Sequence, residues 1–403
     1  MKRLLLFSFM KHSSILLFLL NVILLSACQS KDTKSNEINY DKTLSSCKQI
    51  ILPVDENTDF LSKSIFQFEE NGKEFLHFEN SQNSTYDIVI FDLDSQKVER
   101  RIPIHPEGPN GVPSLFGSKP YPDSNTILAF QHFAFRISLL NGKGEVLRNY
   151  QLNPKGRFVR VIFASFFYTP PFTRDSVLYF SQRPCDQQRA IKDYTKIPLF
   201  ASMDLRTGEI GWPSLYFPTT FDGDYTDIGD SDGSFAYDYN EKDNRLVCSF
   251  IRYDSIMVTD DLQHVKWYNA KSKYLKSMKP NVDNYTDDIY TLIRDAERPK
   301  YLHIMYDKYR DVYYRFAEMP CELAKDETPY DNQAPKAREF SVIILNDKFE
   351  IIGETKFPGN KYFYKMSFVG KDGLYISENN LANPEFDEDK LVFSCFKLVD
   401  VNE

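Results

Sequence analysis

From residue 48 onward the chain is a succession of short runs in which apolar and polar residues alternate, cut by tight polar turns at fairly regular intervals. A period of two puts successive side chains on opposite faces of an extended backbone, so these runs predict half-buried strands. Five segments share one hairpin plan, at residues 87–104, 134–152, 199–218, 255–270 and 340–358. Each opens with an apolar strand, turns on Asp, Asn or Gly, and returns as a more polar strand. Stretches such as Asn141-Gly142-Lys143-Gly144 supply residues that tolerate positive φ, as short hairpin connections require. Another hairpin precedes each of the five, at 65–80, 115–131, 166–182, 235–252 and 301–316.

Two consecutive hairpins make one four-stranded sheet, and five such sheets follow in series. A sixth starts at 362–377 and adds 391–399, which leaves it one strand short. Residues 48–54 (KQIILPV), at the other end of the chain, supply the missing strand most simply. The rhythm therefore predicts an all-β fold: a six-bladed β-propeller of four-stranded antiparallel blades, closed by an N-terminal strand joining the last blade. The repeat is one of structure, about 40 to 60 residues long, without a copied motif. A pair of β-sandwiches is the rival arrangement for short strands and turns. Helix is expected only within 320–339. Closure would lay Cys47 and Cys395 on neighbouring strands as a possible disulfide pair.

Ahead of the strands, residues 15–25 (ILLFLLNVILL) have the length of a signal-peptide core and are too short to span a bilayer. Lys11 and His12 precede the run, and Met10 is a second possible start. The run ends at Leu25-Ser26-Ala27-Cys28, a lipobox in which the Cys28 thiol is the group able to carry a thioether-linked diacylglycerol. Several acyl chains exceed the two signals that stable anchoring needs. Residues 1–27 are thus expected to be a lipoprotein signal peptide, 28–46 a lipidated cysteine with a flexible polar tether, and 47–403 a single propeller domain. Gln29 and Ser30 after the cysteine suit release to the outer membrane, with the body facing the periplasm or the cell surface.

Composition narrows the function. Loss of Lys2, Arg3 and Lys11 with the leader would move the formal charge from −8 to −11. A mildly acidic chain without a Lys/Arg block does not suit nucleic acid, and membrane contact is expected through the lipid anchor alone. The 33 Phe and 25 Tyr favour strands over helix. Five cysteines remain after Cys28, at wide and irregular spacing that fits neither a disulfide framework nor a zinc site. A monomer is expected.

If the chain folds as predicted, its turns segregate. Those joining first to second and third to fourth strands are a few residues long. The others are long and chemically mixed: 105–111 (HPEGPNG), 183–198, 219–233, 269–300, 317–339 and 378–390. Long connections in a compact domain commonly carry function, so the end bearing them is the expected binding face. Residues closing the second strands would ring its mouth: Asn80, Gln131, His132, Gln182, Arg183, Arg252, Arg315, Glu378 and Asn379. Amides, arginines and a carboxylate suit a polar ligand such as a glycan or peptide, or an envelope protein.

The alternative to such a binding module is a hydrolase or lyase acting on glycans or lactone-like substrates, with carboxylates or Ca at the channel mouth. His105 and Glu107 are the candidate acid and base, held by a loop stiffened with Pro106 and Pro109. Asp222, Asp224 and Asp227 are the candidate calcium ligands, although EF-hand spacing fails because Asp227 occupies the glycine position. Phosphate-cradling, Gly-x-Ser-x-Gly and His-Glu-x-x-His motifs are missing, and the six histidines show no ligand spacing. No cofactor is expected.

The lipobox, the polar tether, the irregular blades and hairpins such as FSVIILNDKFEIIGETKF resemble a family of uncharacterised Bacteroidales lipoproteins with a TolB-like six-bladed propeller. The likeness extends over nearly the whole mature chain and rests on architecture. It implies fold and location, and it carries over no catalytic residue.

Overall fold

The computed structural model describes residues 40–402 apart from 83–84, 109–110, 122, 124, 132–133, 153–160, 163–167, 182, 185–197, 219–234, 277, 279–297 and 321–337. Everything described is strand, turn or irregular backbone, without helix. The span 320–339 expected to hold a helix lies mostly outside the described residues.

The chain opens with β1 (Lys42–Pro53) and then builds one sheet from β2 (Ile65–Glu70), β3 (Lys73–Gln82), β4 (Thr85–Asp92) and β5 (Lys97–Ile104). The next is β6 (Ser118–Pro120), β7 (Thr126–Gln131), β8 (Arg136–Asn141) and β9 (Val146–Gln151). β10 (Val161–Ile162) follows. The third sheet takes β11 (Phe172–Arg174), β12 (Val177–Ser181), β14 (Phe200–Asp204) and β15 (Ile210–Gly211). Between its second and third strands β13 (Arg183–Pro184) leaves to pair with β10. β16 (Phe235–Asn240), β17 (Arg245–Phe250), β18 (Ser255–Thr259) and β19 (Lys266–Asn269) make the fourth.

The remaining strands are β20 (Lys300–Asp307), β21 (Val312–Glu318), β22 (Phe340–Leu345), β23 (Ile351–Phe357), β24 (Phe363–Gly370), β25 (Gly373–Ser377) and β26 (Lys390–Asp400). With β1 they form one eight-stranded sheet, in the order β20-β21-β22-β23-β1-β26-β25-β24. The described residues thus give four four-stranded sheets, one eight-stranded sheet and the small β10–β13 pair in a propeller-like fold, where six four-stranded sheets were expected.

The difference has a local cause. β1 pairs antiparallel with β26 along nearly its whole length, from Lys42↔Asp400 to Pro53↔Lys390, and touches β23 at the single parallel pair Lys42↔Gly353. At Gly353 a side chain is impossible, because a Cβ would lie 2.1 Å from the Lys42 carbonyl oxygen. One missing Cβ therefore lets two four-stranded runs fuse. The N-terminal strand also begins earlier than expected: residues 42–46, expected as tether, belong to β1 and hydrogen-bond into the sheet. Leu44 supplies the apolar position there, 6 % exposed between polar neighbours.

The core follows the same cyclic order. Among the described residues, six clusters of buried side chains lie between successive four-stranded runs. Phe75, Ile88 and Ile102 of the first sheet meet Ile127, Ala129 and Leu140 of the second. Phe130 and Ile137 then meet Phe180 and Met203, and Phe172 and Phe200 meet Tyr237 and Leu246. Val247 and Ile256 meet Tyr313 and Ile343, and Phe316 and Phe340 meet Tyr364 and Leu374. Finally Met366, Phe368 and Phe393, with Ile50 and Leu52 of β1, return to Leu76, Phe78 and Phe91 of the first sheet. Each such aliphatic or aromatic chain stabilises by about 1.5–3 kcal/mol when fully buried, so the interfaces between sheets contribute strongly to stability.

Short turns are built by Asx side chains. Asp92, Asp204 and Asp261 each accept backbone N–H groups two and three residues on. Asn141 and Asn346 accept from residues two and four on, and each donates to a Glu four residues later.

Candidate functional site

Long connections fall in only one class of junction, although several of that class, such as those between β3 and β4, β7 and β8, and β17 and β18, are short where all were expected to be long. Connections joining first to second and third to fourth strands are no longer than that between Thr259 and Lys266. The long ones, 105–117, 152–171, 182–199, 212–234, 270–299, 319–339 and 378–389, all join second to third strands or one sheet to the next.

At the short-turn end, three turns from the first sheet and both halves of the eight-stranded sheet are tied together. Glu69 accepts from Lys308 Nζ at 2.8 Å, from Lys371 Nζ at 3.2 Å and from the Tyr309 hydroxyl at 2.6 Å. Gln67 donates to Tyr309 at 3.2 Å and to Glu74 at 2.8 Å, and Glu74 also accepts the Lys371 amide. The Lys308 and Tyr309 hydrogen bonds pull Glu69 down to about 2. This network fastens the short-turn end.

The expected ring residues are mostly spent inside the protein. Arg315 is fully buried: its guanidinium donates to Ser249 Oγ at 2.8 Å, to the Asp254 and Ala270 carbonyls at 2.9 Å each and to the Tyr253 carbonyl at 2.6 Å. It also lies 3.5 Å from the Tyr301 ring centroid, and burial lowers it to about 10. Gln131 donates to Ser138 and accepts from Arg136, fully buried. Arg252 is 2 % exposed and donates to the Pro299 carbonyl. Asn80 accepts from the Asp59 amide and donates to the Asn57 carbonyl and Asp87. These are corrections to the ring of ligand-facing groups: polar atoms buried at strand ends must be satisfied internally, and these side chains do so. His132 and Gln182 lie outside the described residues, as do Cys28, Asp222, Asp224 and Asp227. Arg183 sits in β13, where its backbone pairs with Ile162.

His105 and Glu107 are exposed and make no hydrogen bond to each other. Their loop is a turn, with Val112 N–H donating to the His105 carbonyl and Gly111 N–H to Gly108, whose φ of 90° suits glycine. Nothing in this geometry draws the two side chains into an acid–base pair.

Glu378 and Asn379 do meet an open space. A cleft of about 190 Å³ is lined by Gln49, Glu378, Asn379, Glu385, Asp387 and Lys390, with Phe386 and Asn383 beside them. The loop 378–389 forming it is held by its own asparagines. Asn380 donates to the Tyr362 carbonyl and accepts the Ala382 amide; Asn383 donates to the Glu378 carbonyl and accepts the Glu385 amide. Asn379 clasps β26, accepting from Val392 N–H at 2.8 Å and donating to the Lys390 carbonyl at 2.6 Å. Glu378 accepts from Ser394 and lies 3.6 Å from Lys361 Nζ. Phe386 packs edge-on against Phe60, centroids 5.0 Å apart. The result is a preorganised hollow of carboxylates, amides and one lysine on the long-connection end.

Two further groups of polar residues sit inside the fold. Lys119 of β6 donates to the Pro171 carbonyl at 2.5 Å and stands 5.7 Å from the Phe66 ring centroid, with its charge disfavoured by burial. Asp238 of β16 accepts the Tyr306 and Tyr239 amides, and burial raises it to about 6. Between the first two sheets, His77 Nε2 meets Ser118 Oγ at 2.9 Å, and Ser118 also hydrogen-bonds Glu79. Burial lowers His77 to about 3 and raises Glu79 to about 7. His77 Nδ1 and Glu79 Oε2 are buried without a hydrogen-bond partner. The sequence carries a signal for this pair: in FLHFEN the alternation of β3 assigns His77 and Glu79 to the face that also carries Phe75.

Residues 39–356 match the model of the family described as a domain of unknown function, DUF4221, and the chain belongs to that family. A crystal structure of a DUF4221 member from Bacteroides vulgatus is 54% identical, covers 90% of this chain and 100% of its own, and superposes with a TM-score of 0.85. A putative exported protein from Bacteroides fragilis, 12% identical, covers 90% of this chain and 97% of its own with a TM-score of 0.50, a likeness of fold alone. Among curated proteins no match is found.

Proposed function

We propose that this DUF4221 member is a six-bladed propeller that binds a polar ligand without catalysis, tethered to the outer membrane through Cys28. In this reading the eight-stranded sheet counts as two blades, β20–β23 and β24–β26 with β1, bridged at Gly353. The cyclic series of six core clusters supports that count.

The observation that carries the binding reading is the asymmetry of the two ends. One end is fastened by the Glu69 network; the other bears every long connection and the asparagine-braced cleft at Glu378–Lys390. Glu385, Asp387, Lys390, Gln49 and the flanking Phe386 offer acceptors, donors and a ring edge, a set suited to the hydroxyls and amides of a glycan or peptide. The ligand is held from a monomer, and membrane contact is made by the acyl chains.

A glycan and peptide array tests the site. The intact protein should retain a defined subset of ligands, and replacing both Glu385 and Asp387 by their amides should weaken retention at least tenfold with melting unchanged. Equal retention by the double variant would remove the cleft from the reading. Release of cleaved product from a retained ligand would favour the hydrolase or lyase alternative. Separately, Cys28→Ser should move the protein from the membrane to the soluble fraction; unchanged fractionation would refute the anchor.

A further inference from the structure

The strand that completes the last sheet meets it at a pair of thiols. Along β1 and β26 the register runs Ser46↔Phe396 and then Lys48↔Cys395, so a bulge places both Cys47 and Lys48 opposite Cys395. Residues directly opposed across an antiparallel pair share a face, and the Cys395 thiol is close enough to Cys47 to interact with it. Both cysteines are unbridged, Cys47 exposed and Cys395 buried in the cluster between the last sheet and the first. Lys48 brings an ammonium beside both sulfurs, with its Nζ 5.8 Å from the Tyr375 ring centroid and 2.5 Å from Asp372.

We propose that Cys47 and Cys395 are a disulfide-forming pair that covalently locks the closing strand onto the last sheet. Formation proceeds by exchange with an external disulfide. The exposed Cys47, as its thiolate, attacks one sulfur of that disulfide and expels the other as a thiolate. Cys395 then gives up its proton to solvent and its sulfur attacks Cys47. The new S–S bond forms as the Cys47–oxidant bond breaks, and a second thiolate leaves. Two protein thiols are oxidised, one disulfide is reduced, and two protons are released.

The chain enclosed between residues 47 and 395 is most of the protein, and a cross-link over so long a loop constrains the unfolded chain strongly. Oxidised glutathione supplies the external disulfide in the test. Native protein incubated with it should lose two titratable thiols, and peptide mapping should join Cys47 to Cys395. Its melting temperature should rise by on the order of 5 °C and return on adding reductant. Cys47→Ser, an exposed substitution, should fold normally and show neither change. A stable mixed disulfide left on Cys47 with Cys395 still titratable, or a bond mapped to Cys185, Cys248 or Cys321 instead, would overturn the proposal.

Discussion

Arg315→Ala should lower the melting temperature by about 4–7 °C. The guanidinium is fully buried and supplies four hydrogen bonds, three of them to carbonyls from the connections after β17 and β19. It holds those connections against β21, with its flat face on Tyr301. Although burial lowers it to about 10, it remains charged at neutral pH and every donor stays in use. Truncation leaves Ser249 Oγ and the Tyr253, Asp254 and Ala270 carbonyls without that partner and opens a void. Breaking a buried, fully hydrogen-bonded charge of this kind costs about 3–5 kcal/mol. For a unit of this size the unfolding entropy is about 0.7–0.8 kcal/mol per kelvin, which converts that loss to the stated shift. Differential scanning calorimetry at neutral pH reads it directly. Arg315→Lys, which keeps a charge but cannot span the same acceptors, should fall between parent and Ala variant. An Ala variant melting within about 1 °C of the parent while losing ligand would refute the reasoning and return Arg315 to the binding surface.

Glu79 should make stability fall with rising pH. Its carboxyl is raised from the ordinary 4.5 to about 7, so the folded state holds a proton over that window which the unfolded chain has released. The contribution is complete below 4.5 and lost as pH rises through about 7, up to about 3 kcal/mol in all. Glu79→Gln should therefore gain on the parent between pH 5 and 8 in urea titrations; parallel curves would show that the carboxyl is solvated. His77, lowered to about 3, slopes the opposite way in both proteins and cancels in the comparison. Deleting residues 42–53 removes buried Leu44, Ile50 and Leu52 and bares β26, and should cost at least about 5 kcal/mol, read as loss of a single cooperative melting transition. Unaltered melting of that truncation would show that closure carries no stability.

The candidate site was less legible than the fold because the sequence gives strand ends but not their depth. Gln131 and Arg315 end or lie near the ends of second strands, as expected, yet both are fully buried, Gln131 bonded to Ser138 and Arg136 and Arg315 to the connections after β17 and β19. A buried arginine satisfied by carbonyls and an exposed one reaching for a ligand have the same letter and the same place in the pattern. Glu378 and Asn379 border a cleft because their own loop, rich in asparagine, is braced by hydrogen bonds within itself and onto β26. Lys119 escaped notice since a strand as short as β6 shows no alternation to violate.

Hairpins are local objects, and the residues that make them lie a few positions apart. Alternation of apolar and polar side chains, with Asn, Asp and Gly at the turns, therefore set by itself the strand pairs and their order. The need for one more strand in the last sheet was legible too, since it is a matter of counting. Tertiary structure alone decided that β1 starts at Lys42, that it touches β23 at Gly353, and which polar side chains face inward. Those outcomes depend on contacts between residues hundreds of positions apart, where a single absent Cβ or one covering connection changes the result and no period in the sequence records it.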